Sequence, residues 1–117
     1  MHPPSPPRSR PRFAHHAEAE LARLFDRHGI AWEYEPRTFV LDTDAEGRPT
    51  RAFTPDFYLP DEDLFVELTT LRQALVTKKN GKVRRLRELH PDVRITMLYR
   101  RDYEALALRF GLAPLSA

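Results

Sequence analysis

The run Leu64-Phe65-Val66-Glu67-Leu68-Thr69 limits the fold more than any other part of the chain. It is short and nearly all apolar, and the polar turn residues Pro60-Asp61-Glu62-Asp63 stand just before it. That is the pattern of a central strand covered on both faces. A carboxylate within it is costly in a low-dielectric interior unless a metal, a cation or hydrogen bonds answer it. Glu67 is therefore the residue that most needs an explanation.

The stretch Thr54-Pro55-Asp56-Phe57-Tyr58-Leu59-Pro60 offers it a partner. Asp56 stands at the turn into an apolar segment, and ten residues separate it from Glu67. Neighbouring strands joined by the Pro60 to Asp63 turn would bring the two carboxylates to one place. Such a pair binds a hard divalent cation for phosphodiester chemistry. The structural alternative for Asp56 is a turn cap after Pro55.

The rest of the chain supplies layers around this strand. Residues 14 to 28 read as a helix, with Leu21, Leu24 and Phe25 at helical spacing and Gly29 just past the end. Residues 30 to 35 read as a strand, with Ile30, Trp32 and Tyr34 on one face, and 38 to 41 as the next. Residues 42 to 49 form a polar connection. Arg51 to Tyr58 reads as a third strand, interrupted by Pro55, which favours an edge or a bulge. Residues 71 to 90 form a long helix, irregular near Asn80-Gly81, with Val76, Val83, Leu86 and His90 on one face. Residues 94 to 99 form a last strand and Asp102 to Phe110 a last helix, closed by Gly111. The order is αβββαβα, with a mixed sheet of about four to five strands flanked by helices. The final strand, helix, strand unit implies a parallel pair joined by a right-handed crossover.

With 117 residues, one compact domain is expected, here residues 13–112. A tail follows at 113–117. Residues 1–12 hold five of the eleven prolines with Arg8, Arg10 and Arg12 and no acid, the make-up of a disordered basic arm. The net charge is only +2, yet residues 78 to 87 carry Lys78, Lys79, Lys82, Arg84, Arg85 and Arg87 with no acid. Acids concentrate between Asp42 and Glu67. This division suggests a face for a polyanion and a separate acidic centre, or else two solvated surfaces. The lack of cysteine excludes disulfides, a zinc-thiolate site and a thiol nucleophile. No apolar run suits a membrane span, and the N-terminus lacks the apolar centre of a signal peptide, so a cytoplasmic protein is expected.

The cations hold a further signal. Of the 19 basic side chains only three are lysines, and all three lie at Lys78, Lys79 and Lys82. A lysine ammonium is compact and its pKa can shift, properties arginine lacks. At about 100° per residue, Lys79 falls on the line of Val76, Val83 and Leu86, whereas Lys78 and Lys82 lie off it. Lys79 would then face two acids and position a water or steady a phosphate; alternatively its stem packs on the core edge and its head reaches solvent. On the first helix Glu18 lies near the apolar face, where a carboxylate could join the acids, and Glu20 points more outward. His15 and His16 are candidates for a metal or phosphate contact, or simply start the helix.

Taken together, Glu18 on the first helix, Pro55-Asp56, the ten-residue gap and Glu67-Leu68-Thr69 resemble the PD-(D/E)xK signature of restriction-endonuclease-like nucleases. The likeness spans roughly residues 14 to 110 and extends to transposon endonuclease subunits, Holliday-junction resolvases and very-short-patch repair nucleases. It implies a restriction-endonuclease-like core and an endonuclease that hydrolyses DNA with Mg²⁺ or Mn²⁺. Asp56 and Glu67 would hold the metal, with Glu18 and the Leu68 carbonyl assisting. The family's lysine position is occupied here by Thr69. Some members carry that lysine on the following helix, which implies Lys79 as the residue that orients the attacking water. Thr69 and Gln73 would bond the water or a phosphate oxygen, and Lys78, Lys82, Arg84 and Arg85 would track the nucleic-acid backbone. Cutting both strands would favour a homodimer. The competing readings are a nuclease fold that binds nucleic acid or a partner protein without cutting, and an unrelated α/β domain whose acids are structural.

Overall fold

The computed structural model describes residues 11–70, 73–113 and 115. Residues 1–10 of the expected arm, the helix start at 71 and 72, and the tail positions 114, 116 and 117 lie outside the described residues. The elements run α1 (His16–Arg27), β1 (Glu33–Tyr34), β2 (Phe39–Thr43), β3 (Pro49–Phe53), β4 (Phe57–Leu59), β5 (Leu64–Thr69), α2 (Gln73–Leu89), β6 (Ile95–Tyr99) and α3 (Arg100–Phe110). The fold is α/β, with a mixed four-stranded sheet in the order β1-β4-β5-β6 and a separate hairpin of β2 and β3.

β5 is the central strand. It pairs antiparallel with β4 and parallel with β6, and α2 makes the crossover that a parallel connection requires. Its side chains alternate. Leu64, Val66 and Leu68 face a core built with α1 and α3, including Leu21, Ala22, Phe25 and Tyr103. Phe65 faces a second core made by α2 and the hairpin, including Phe39, Leu41, Phe53, Val83 and Leu86. Glu67 and Thr69 share the pleat face of Phe65 and so turn toward α2.

The expected third strand proves to be two. Pro55 lacks the N–H that would continue the ladder, and the chain changes sheets there. β3 stays in the hairpin with β2, while β4 joins the main sheet. The observed order therefore has five strands before α2 rather than the expected three or four. The strand expected over residues 30 to 35 shrinks to Glu33–Tyr34, because β4 offers it only Phe57 and Tyr58 as partners. Ile30 and Trp32 pack on the core without ladder bonds. α2 runs unbroken through Asn80-Gly81, and the Tyr99 hydroxyl of β6 donates to Asn80 Oδ1 at 2.7 Å. Among the described residues, no helix is long and apolar enough to cross a membrane.

Phe57 anchors the main core. It is fully buried and meets Phe25, Trp32 and Tyr34 edge-on at centroid distances of 5.5, 5.8 and 5.5 Å. Phe57→Ala should cost about 3–5 kcal/mol in urea unfolding, whereas Leu108→Ala, at a side chain 90% exposed, should stay within about 0.5 kcal/mol. Equal losses would contradict this placement of the core.

Candidate active site

The switch between sheets at Pro55 sets the site. β4 begins at Phe57, which pairs with Val66, so the register places Asp56 opposite Glu67. The backbone ladder is not continued there; the two side chains complete it. The Asp56 backbone N–H donates to Glu67 Oε1 at 2.9 Å, and the Leu68 N–H donates to Asp56 Oδ2 at 2.9 Å. Each carboxylate thus satisfies a backbone group of the opposite segment. Both residues are buried, Asp56 at 8% and Glu67 at 2% exposure.

Lys79 reaches this pair from α2. Its ammonium lies 2.7 Å from Glu67 Oε2 and 3.3 Å from the Leu68 carbonyl oxygen. Its helical phase, shared with Val83, places the stem against the core. Lys82 donates to the Ala52 carbonyl of β3 at 3.1 Å. Lys78, Lys79 and Lys82 line one cleft of about 470 Å³ with Thr54, Asp56 and Glu67. A buried acid pair thus opens onto a surface ringed by ammonium groups.

Glu18 stands behind the pair. It is 3% exposed and accepts a short hydrogen bond from the Tyr34 hydroxyl. Burial pushes its carboxyl upward against the lowering effect of that bond. Burial, then the charge of Glu67, then that of Glu18 push the Asp56 carboxyl up to about 8. The Leu68 N–H and the Lys79 ammonium oppose this without cancelling it. With all its acids ionised the centre would carry more negative charge than its own lysine neutralises, which is why the Asp56 carboxyl holds its proton; its oxygen donors suit a hard cation. Among the described residues, no three His, Asp or Glu side chains gather closely enough to hold a metal by themselves. Asp56, Glu67 and the Leu68 carbonyl could supply only a partial set, leaving the rest of the shell to water, and Mg²⁺ commonly keeps several waters when bound.

Other expected site residues fall elsewhere. Thr69 is 1% exposed and its hydroxyl has no hydrogen-bond partner among the described residues, so it presents no surface to a nucleic acid. The side chain of Gln73 lies outside the described residues. The basic run of α2 divides around the helix. Arg84 borders a groove beside Met97 and Tyr99 of β6. Arg85 turns to the hairpin, 3.4 Å from Asp42 Oδ1, with Glu88 on its other side. Neither lines the cleft: Arg84 turns to the β6 side of α2, and Arg85, a turn beyond Lys82, is drawn to Asp42 and the Leu41 carbonyl of β2. His15 and His16 line a separate cavity of about 200 Å³ with Thr70, Arg100 and Tyr103. Glu20, expected to point outward, is 7% exposed. The chain beyond α3 covers it, and the Ala113 N–H donates to Glu20 Oε2 at 3.2 Å.

Tyr34 and Thr54 are the members of this neighbourhood that sequence reasoning missed. The alternating pattern of residues 30 to 35 puts Tyr34 only on an apolar face, yet its hydroxyl donates to Glu18. The chain matches no family model, no curated protein and no solved structure, so the reading of the site rests on its own chemistry.

A carboxyl raised in the folded state binds more protons there than in the unfolded chain, so it lowers stability as pH rises from about 4 toward 8. Asp56→Asn keeps an oxygen for the Leu68 N–H and removes the charge. Its melting temperature should exceed that of the parent at pH 8, by a stability gain on the order of a few kcal/mol, and the gain should shrink toward pH 4. A variant less stable than the parent at pH 8 would show that the charge is not penalised.

Proposed function

We propose that the domain is a restriction-endonuclease-like core whose cleft hydrolyses phosphodiester bonds in DNA with bound Mg²⁺ or Mn²⁺. The observation that carries this reading is the convergence of Asp56, Glu67, the Leu68 carbonyl and the Lys79 ammonium at one end of a cleft lined by two further lysines. One carboxylate at the entry to β4, one within β5 and a lysine from the following helix resemble the set of the PD-(D/E)xK signature, with the lysine moved from position 69 to position 79. The mixed sheet with β5 at its centre and α2 as the crossover supports the same fold.

A divalent ion at this pair would lower the pKa of an attacking water and neutralise the scissile phosphate. The chain's own residues do the rest. Glu67 and Asp56 fix each other through bonds to backbone N–H groups, so both carboxylates are preorganised and lose little freedom on binding. Lys79 stands within reach of Glu67 to orient the water or the phosphate. Glu18, held by Tyr34, adds negative charge behind the pair and raises its attraction for a cation. Lys78 and Lys82 hold the nucleic-acid backbone along the cleft as point charges, giving affinity without base readout. A duplex cut on both strands would call for two copies of the domain acting as a homodimer.

One observation favours a second reading. Both oxygens of Glu67 are already engaged, by the Asp56 N–H and by Lys79, which is the arrangement expected of a nuclease fold that binds DNA without cutting it.

Incubation of the full chain with supercoiled plasmid and Mg²⁺ or Mn²⁺ separates the two. Nicking that Glu67→Ala abolishes supports the enzyme; retention of DNA without nicking, unchanged in Glu67→Ala, supports the binding module. In the enzyme, Lys79→Ala should lose about 10²-fold or more of the activity, as removal of a proton-transfer or charge-stabilising group does. Lys78→Ala should lose less than about tenfold, since it removes one phosphate contact. Equal losses would refute the assignment of Lys79.

A further inference from the structure

The ammonium of Lys79 touches the same two oxygens that a metal would use. It is 2.7 Å from Glu67 Oε2 and 3.3 Å from the Leu68 carbonyl. We propose that Lys79 is an internal competitor of the divalent cation: it occupies the Glu67 Oε2 and Leu68 carbonyl donors in the metal-free protein and must swing into the cleft when metal binds. This inference rests on the metal-site reading given above and specifies how that site is regulated.

Three features lead there. The first is exclusion. Mg²⁺ bonds oxygen at about 2.0–2.1 Å, so an ion on Oε2 and an ammonium at its present place would share one oxygen as close neighbours of like charge. The second is the lack of a second free oxygen on Glu67. Oε1 takes the Asp56 N–H, a bond that joins β4 to β5, so the competition is not relieved by dividing the two cations between the two oxygens. The third is a place to go. The Lys79 side chain is 26% exposed where Glu67 is 3%, and its stem rises beside a cleft of about 470 Å³ lined by Lys78, Lys82 and Thr54. A flexible four-carbon stem carrying a compact ammonium suits such a movement, which a planar guanidinium would not.

The consequence is coupling. A phosphate in the cleft draws Lys79 away from Glu67 and uncovers a donor for the metal. Metal in turn releases Lys79 toward phosphate, and the two effects are equal in size by linkage. Without nucleic acid the pair holds its own counterion and the site stays low in metal. The lysine that orients the water is thereby moved into its working position by the binding of metal and substrate.

The test is Mn²⁺ binding by titration calorimetry on the full chain without DNA. Lys79→Gln should bind Mn²⁺ about tenfold more tightly than the parent, and Lys78→Gln should stay within about twofold. Binding by the parent with equal or weaker binding by Lys79→Gln overturns the competition and leaves the metal site standing. Failure of both proteins to bind overturns the metal site as well. Removing Lys79 leaves a buried carboxylate without its cation, so a second measurement uses the parent alone. The side-chain ¹⁵Nζ resonance of Lys79 is followed as Mg²⁺ is added. Loss of its protection from solvent exchange on metal binding is expected, and a signal unchanged at saturating Mg²⁺ overturns the proposal.

Discussion

The exchange of hydrogen bonds between Asp56 and Glu67 is the constraint on which the rest of the molecule turns. A strand buried on both faces has no water with which to satisfy a carboxylate. Here each acid answers a backbone N–H of the opposite segment at 2.9 Å. The arrangement is possible only because the chain leaves the hairpin after Phe53 and enters the main sheet at Phe57. That change of sheet ends the ladder at Phe57 and hands the next position to side chains. Lys79 then closes the remaining side of Glu67 from α2. The site is thus a product of strand register, and not of a loop added to a finished fold.

The same arrangement sets electrostatics against stability. Glu18, Asp56 and Glu67 lie near enough to raise one another's cost, and burial is the largest cause of the elevated Asp56 carboxyl. One lysine offsets part of this charge. A centre built for stability alone would dispense with the acids or give each a cation, and replacing buried ions with apolar groups is often neutral or stabilising. Retaining an acid excess beneath a cleft of lysines makes sense if an exogenous cation and a polyanion meet there.

Much of this was legible before the structure, for identifiable reasons. Glu67 was conspicuous because an acid in a continuous apolar strand has few cheap explanations. Asp56 followed from the length of the intervening turn, and Lys79 was placed by helical phase on the line of Val83 and Leu86, the side of α2 that packs on the second core. The parallel pairing of β5 and β6 followed from the helix between them. What could not be read depended on contacts distant in sequence. Pro55 marked an interruption, but whether the chain bulged or changed sheets is decided by which strand waits on the other side. Glu20 resembles a surface residue until the segment after α3 folds over it. Arg84 and Arg85 sit in the basic run with Lys82, yet one borders β6 and the other is held by Asp42. Charge blocks in sequence are blocks in space only when the helix face is counted residue by residue.

The proposed chemistry requires a divalent cation between Asp56 and Glu67. Anomalous scattering from a crystal soaked in Mn²⁺ tests it most directly. One peak is expected within bonding distance of an Asp56 carboxylate oxygen, Glu67 Oε2 and the Leu68 carbonyl, with the Lys79 ammonium moved into the cleft. A saturated crystal with no peak there, or with manganese only at His15 and His16, would contradict it.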